Sequence, residues 1–149
     1  MSRTGLLDRL EREWKAFLES FEGLPDSVLM EPGAVGHWSV RNVLAHISTW
    51  EEEALKALLL ILEGKRPPRY GGIDAFNARE QERKRVFSLD QVKQELVATH
   101  QHLMTFLASC PKDNYATESR FRRRLRLDTY HHYREHAAQI TTWRAKRGL

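Results

Sequence analysis

The chain has 149 residues, of which 41% are hydrophobic and 30% charged, and its formal net charge is +4. This length suits one domain with its own core, and the composition excludes a disordered chain. The single cysteine, Cys110, excludes a disulfide framework and leads us to expect a reducing, cytoplasmic setting. The longest apolar run, 57–62, is too short to cross a membrane, and we expect neither a signal peptide nor a membrane partner.

The first half of the chain predicts two amphipathic helices, each with an apolar residue at every third or fourth position. The first helix ends before Gly23 and Pro25, and its apolar stripe consists of Leu6, Leu7, Leu10, Trp14, Phe17, Leu18 and Phe21. Ser39 is a suitable N-cap for the second helix, which ends before Gly64. The second stripe consists of Val40, Val43, Leu44, Ile47, Trp50, Ala54, Leu58 and Ile61.

The second half predicts two further long helices. Ser88 and Gln91 form a capping box for the third helix, which Pro111 closes. Asp128 is expected to cap the fourth helix, which runs to Arg147.

Two long links separate these helices. Within the first, the segment Asp74 to Arg85 is interpreted as a short polar helix capped by Asp74. The second link, 112–125, is polar and rich in arginine. Four amphipathic helices, without a convincing strand or repeat, predict an all-α fold: a single four-helix-bundle domain over residues 1–149.

Two histidines lie on the face of the fourth helix that should be buried. His132 and His136 are one turn apart and share that face with Gln139, Ile140 and Trp143. Two imidazoles on an apolar face need partners, and a metal ion is one of them.

A third histidine, His46, lies at the edge of the apolar stripe of the second helix. It can converge with His132 and His136, because bundles often build sites between facing helices. Three histidines with open coordination positions are typical of a catalytic metal site, and imidazole ligands suit zinc, nickel, cobalt, iron or copper. A lone histidine such as His46 on a bundle helix is more often an ordinary core or edge residue than a metal ligand.

A resemblance to the DinB/YfiT-like superfamily of bacterial four-helix-bundle proteins is carried by two segments, GHWSVRNVLAHISTWE and YHHYREHAAQITTWR. The segments PGAVGHWSV and DAFNARE are most similar to the branch that includes the colibactin self-protection protein. That branch often departs from the full histidine triad, whereas this chain keeps all three.

The resemblance implies that His46, His132 and His136 bind a divalent metal, most often nickel or zinc. It also implies a thiol-dependent transferase or isomerase that uses a low-molecular-weight thiol, or a hydrolase-like activity. Homodimers are frequent in the superfamily, and the four tryptophans of this chain also favour a homodimer.

We therefore predict a divalent-metal-dependent enzyme that acts on a small reactive molecule by thiol transfer or by hydrolysis. The alternative is a non-catalytic bundle that sequesters a small apolar molecule, with Trp38, Trp50 and Trp143 along its pocket. A third interpretation is a partner-binding protein, in which the histidines are satisfied by one another and by Gln139 or Glu53.

Several other residues are candidates for the site. Those predicted to line a substrate pocket are Trp50, Asn77, His100, Gln139 and Trp143. Glu135 is a possible general base within the string His132-x-x-Glu135-His136. The inverted zinc-peptidase motif has the same string, but it needs a third ligand well downstream, and only 13 residues follow His136.

The arginine run between Arg120 and Arg126 is compatible with a solvated link, an anion-binding wall at the mouth of the site, or a nucleic-acid surface. Aromatic interleaving is limited to Phe121 and the net charge is small, so we predict no nucleic-acid partner. The predicted partners are a small-molecule substrate and a second copy of the chain.

Overall fold

The computed structural model describes residues 2–149, and within them the chain forms eight helices. Their bounds are α1 Arg3–Ser20, α2 Asp26–Leu29, α3 Val40–Leu62, α4 Ile73–Lys84, α5 Leu89–Ser109, α6 Asp113–Ala116, α7 Arg120–Asp128 and α8 Tyr130–Arg147. No strand is formed by residues 2–149, where an isolated bridge joins Val35 and Trp38. The predicted all-α fold is confirmed.

The four long helices form a closed ring. Helix α1 packs against α8 and α5, α5 packs against α3, and α3 meets α8. Their apolar faces share one core cluster, which includes the fully buried side chains of Leu10, Leu44, Leu103 and Ile140. Burial of such a side chain stabilises the fold by roughly 1.5–3 kcal/mol. No helix within residues 2–149 has the length and apolar character needed to cross a bilayer.

Both predicted N-caps of the long middle helices are confirmed. The Asn42 amide donates to Ser39 Oγ at 3.1 Å, and the Ser39 amide donates to the Asn42 side chain at 2.9 Å. Ser88 and Gln91 form the same reciprocal pair, at 3.1 and 2.8 Å. Each box satisfies two amide groups that would otherwise be unpaired at a helix start.

The predicted cap of α4 is wrong. The helix begins at Ile73, and Gly72 occupies its N-cap position without a side-chain hydrogen bond. Gly72 has a φ of 114°, a conformation that suits glycine, and this turn starts the helix before Asp74 is reached. Asp74 lies in the first turn instead, where its charge suits the helix dipole.

The arginine-rich segment forms helix α7, where the sequence analysis predicted a link. Phe121, Leu125 and Asp128 lie on its buried face, while the arginines occupy the other faces. The side chain of Ser119 caps the helix by accepting from the Arg122 amide at 3.2 Å. Only two apolar residues mark the buried face, so the arginines concealed its helical period.

Asp128 ends α7 and is not the N-cap of α8, so that prediction is also wrong. Its carboxylate accepts from Arg124 Nε at 2.6 Å, one turn earlier on the same helix. Thr129 joins the two helices, and its hydroxyl donates back to the Leu125 carbonyl at 2.5 Å. Helix α7 packs against both α3 and α8, and therefore forms a wall along the seam between them.

A buried polar network joins all four long helices at the centre of the ring. Glu51 on α3 accepts from the Tyr133 hydroxyl of α8 at 2.6 Å and lies 2.8 Å from Nδ1 of His100 on α5. Nε2 of His100 lies 2.6 Å from Glu11 on α1, and its ring stacks on Trp14 at 3.8 Å between centroids. Burial alone would lower the pKa of His100, but the two carboxylates outweigh it and raise that pKa.

We predict that Tyr133→Phe lowers the free energy of unfolding by about 1–3 kcal/mol, because it removes a donor from a buried carboxylate. Urea denaturation measures the change. Tyr130→Phe is the matched control, since Tyr130 is also buried on α8 but its hydroxyl lies beside Arg126 and not beside a buried carboxylate. Equal losses in the two variants would show that the Glu51 contact contributes nothing.

Candidate metal centre

The three histidines selected from the sequence come together in the seam between α3 and α8. Nε2 of His132 lies 2.9 Å from Nε2 of His46 and 3.0 Å from Nε2 of His136. The three potential ligand atoms all lie within 4.8 Å of one another. Residues 86 positions apart in the chain thus present their imidazoles to one point.

Burial keeps these imidazoles neutral. It lowers the pKa of His46 to about 3, and the neighbouring His136 and Lys84 contribute to the shift. Burial also lowers the pKa of His136 and holds that of His132 well below its usual range. A neutral imidazole has a free lone pair, which is the form that binds a metal.

The hydrogen bonds around the cluster leave its inner nitrogens unsatisfied. Oε1 of Gln139 lies 2.7 Å from Nδ1 of His136, so that nitrogen carries the proton and Nε2 offers a lone pair. Nε2 of His132 faces the Nε2 atoms of both His46 and His136. If His132 Nε2 carried a proton, it could donate a hydrogen bond to only one of those two atoms. Nδ1 of His132 is buried and has no partner within residues 2–149. The donor set fits a cation that accepts three lone pairs.

The loop before α3 supplies an aromatic wall beside His46. The Trp38 ring lies 4.7 Å from the His46 ring, tilted by 55°. A tight turn places it there, with the Trp38 amide donating to the Val35 carbonyl at 2.9 Å. Gly36 at the tip has a φ of 58°. The string VGHWS therefore places an aromatic ring immediately before the N-cap Ser39.

A cavity of about 520 Å³ opens beside the histidines. It is lined by Trp38, His46, Trp50, Tyr70, Ile73, Asn77, Arg124, Leu127, Asp128, His132, Glu135 and His136. Helices α3 and α8 provide the histidine side, while α4 and α7 provide the opposite walls.

Two of the five predicted pocket residues line this cavity. They are Trp50 and Asn77, which are joined by a hydrogen bond of 2.9 Å from the indole Nε1 to the amide oxygen. Gln139 and Trp143 lie along a different groove, and Gln139 reaches the site only through His136. His100 belongs to the central polar network.

Glu135, the predicted base, is exposed and lines the cavity. It directly precedes His136 on α8, but its side chain is exposed at the rim of the cavity whereas His136 is buried.

The sequence analysis missed the group formed by Tyr70, Arg124 and Asp128. Arg124 Nη2 donates to the Tyr70 hydroxyl at 2.6 Å, and its Nε donates to Asp128 at 2.6 Å. The guanidinium also lies 5.8 Å from the Trp50 ring and 5.6 Å from the Tyr70 ring. Burial raises the pKa of Asp128 to about 6, and Arg124 partly offsets this effect. The available signal was the spacing of Arg124 and Asp128, one helical turn apart.

An all-α bundle with three convergent histidines beside a cavity defines the class: a helical-bundle protein with a candidate metal centre. The family model of the DinB superfamily matches residues 9–140, and the chain belongs to this superfamily. The resemblance seen in the sequence is thereby confirmed. Comparison with curated protein sequences gives no significant match.

Solved structures share the fold. The chain is similar to DfsB, a sibling lethal factor precursor, with a TM-score of 0.82 and 12% identity over 99% of this chain and 97% of that one. An uncharacterised protein from Escherichia coli UTI89 gives a TM-score of 0.85 at 12% identity, over 99% and 95%. The colibactin self-resistance protein ClbS, in complex with dsDNA, gives a TM-score of 0.81 at 14% identity, over 96% of this chain and 95% of that one. These likenesses agree with the predicted branch at the level of the fold.

The ClbS complex corrects one prediction. The exclusion of a nucleic-acid partner is wrong, because a protein of the same fold is found with dsDNA. That exclusion relied on limited aromatic interleaving and on the small net charge of the whole chain, and net charge does not describe how charge is distributed locally.

We predict that acid destabilises the metal-free protein through these histidines. Below pH 6.5 an unfolded histidine binds a proton while His46, with its pKa of about 3, does not. The unfolded state therefore binds more protons, and stability falls as the pH drops from 6.5 towards 3. At pH 5 this costs about 2 kcal/mol for one such histidine.

Urea denaturation at pH 7.5 and 5.0, in the presence of a chelator, measures this loss. His46→Asn should lose less stability than the wild type between the two pH values, by about 2 kcal/mol. His102→Asn, at an exposed position on α5, should behave as the wild type does. If His46→Asn lost as much stability as the wild type between pH 7.5 and 5.0, the loss could not be assigned to His46.

Proposed function

We propose that the chain is a divalent-metal-dependent enzyme of the DinB superfamily that acts on a small reactive molecule in the cavity. The observation that carries the proposal is the convergence of three neutral Nε2 atoms that cannot satisfy one another. His46, His132 and His136 would hold the ion. Nickel and zinc are the metals that the resemblance favours and that imidazole ligands suit.

A bound ion would lower the pKa of a water or thiol in an open coordination position and so supply a nucleophile. The chain's own residues prepare the site for this chemistry. Gln139 holds the proton of His136 on Nδ1 and leaves Nε2 available. Trp38 shields one side of His46. Glu135, at the rim, can accept a proton from the reacting molecule.

Thiol transfer would require a cosubstrate. Cys110, the single cysteine, is buried near the end of α5 and is not part of the cavity lining. A low-molecular-weight thiol is therefore the proposed donor, and hydrolysis is the competing reaction at the same centre.

We predict that protein purified without a tag and incubated with nickel or zinc retains about one ion per chain after dialysis, as measured by elemental mass spectrometry. His46→Ala and His132→Ala should lose the ion, because each removes one of three ligands. His102→Ala, at an exposed position, should keep it. Absence of metal from the wild type after this treatment would exclude the metalloenzyme.

Turnover separates the enzyme from the non-catalytic alternative. Trp38 and Trp50 line the cavity and would serve a sequestering protein equally well. An enzyme consumes many equivalents of a reactive electrophile, whereas a binder protects against one equivalent at most.

The homodimer stays a prediction, and sedimentation at micromolar concentration checks it.

A second candidate function is contact with double-stranded DNA, which the ClbS complex favours. Arg120 and Arg123 are exposed on α7, the helix that also forms one wall of the cavity. Phosphate contacts at these positions would place a nucleic acid beside the cavity mouth.

We predict that Arg120→Ser combined with Arg123→Ser reduces the slope of log affinity against log salt by about 2 for duplex DNA. Fluorescence anisotropy at several salt concentrations measures this slope. Arg12→Ser with Lys15→Ser, at exposed positions on α1, is the matched control and should leave the slope unchanged. Equal effects of the two pairs would argue against a DNA surface on α7.

A further inference from the structure

The cavity has two hydrogen-bond donors that its own residues do not use. Arg124 contacts Asp128 through Nε and Tyr70 through Nη2, and its Nη1 has no partner within residues 2–149. Asn77 accepts from Trp50, and across the same described residues its amide nitrogen has no partner either. Neither nitrogen is among the fully buried unpaired atoms, so both remain accessible.

The charges around these donors disfavour an anion. Arg124 is the only cation among the residues that line the cavity, and Asp128 already pairs with it at 2.6 Å. Glu135 lines the cavity as a second carboxylate, while the histidines there are neutral. In the metal-free protein, a carboxylate or phosphate ligand would meet a wall with net negative charge, whereas a neutral carbonyl oxygen could accept from the free donors without that repulsion.

The rest of this end of the cavity is apolar or aromatic. Trp50 and Tyr70 meet edge to face at 5.2 Å between ring centroids. Ile73 is 50% exposed and Leu127 is 58% exposed, although both are large apolar side chains that line the cavity. An apolar ligand body would remove this surface from water, which is favourable.

We propose that this end of the cavity binds a neutral, mainly apolar molecule through a carbonyl oxygen, such as that of an amide or ketone. We call it the carbonyl subsite and define it by Trp50, Tyr70, Asn77 and Arg124. Arg124 Nη1 and the Asn77 amide nitrogen are the donors, and the aromatic rings contact the ligand body. The carbonyl subsite would define the substrate class of the proposed enzyme, and its role in a reaction rests on that proposed function. Binding of a ligand in the subsite does not require the metal.

The test compares two probes with the same ring, 1-naphthamide and 1-naphthoate. Each is titrated into ¹⁵N-labelled, metal-free protein at pH 7.5, and the indole N–H signal of Trp50 reports binding directly. The amide should bind about tenfold more tightly than the carboxylate, since one good hydrogen bond without charge repulsion is worth about that factor. Repeating the titration after nickel loading and measuring metal content separately distinguishes failure of the subsite from failure of the metal centre.

Arg124→Met should reduce the affinity for naphthamide several-fold, because it keeps the apolar stem of the side chain and removes the donor. Arg12→Met, at an exposed position on α1 outside the cavity lining, is the control and should bind as the wild type does. Arg124→Met leaves the buried carboxylate of Asp128 without its partner. If that variant fails to fold, the double variant Arg124→Met with Asp128→Asn removes this charge and takes the place of the single variant in the test. Equal or tighter binding of the naphthoate, or no shift of the Trp50 signal with either probe, would overturn the proposal.

Discussion

The central constraint in this molecule is that three imidazoles face one another in a seam from which water is largely removed. Burial disfavours the protonated form of each ring, and a charge on one ring would oppose a charge on its neighbours, so all three remain neutral. Neutral rings cannot satisfy one another through a single shared proton, which leaves lone pairs directed at a common point. The tight packing of the ring sustains this arrangement, and the proposed chemistry depends on it.

The central polar network helps to hold those rings in place. Tyr133 follows His132 directly on α8, and its hydroxyl is bound to Glu51 on α3, the helix that carries His46. The buried hydrogen bond between Tyr133 and Glu51 therefore links α8 to α3, the helices that carry His132 and His46. The same carboxylate is linked through His100 to Glu11 on α1, so the histidine cluster is braced by a network that spans the bundle.

The sequence was sufficient to predict the four long helices, because they follow from a period of 3.6 over long segments with clear caps at Ser39 and Ser88. The same period places His132 and His136 on one face, whereas the choice of His46 as their partner relied on the resemblance to the superfamily. It failed at α7, where a buried face of three residues is surrounded by arginines. It also failed to place His100, since an edge position on α5 does not reveal which helix its ring will meet. The cavity wall made by Tyr70, Arg124 and Asp128 depends on the tertiary position of two short elements, which no local pattern encodes.

Thr129 alone separates α7, which lines the cavity, from α8, which carries two of the three histidines. The histidines belong to the ring helices, while much of the surface that meets a ligand belongs to α4 and α7, which are appended to the ring. Substitutions at the cavity-lining positions of those two helices, such as Asn77 and Leu127, alter the shape and polarity of the cavity without removing a residue from the shared core cluster. The candidate metal ligands and much of the cavity wall are therefore carried by separate parts of the chain, and the shape of the cavity can change while the three histidines are kept.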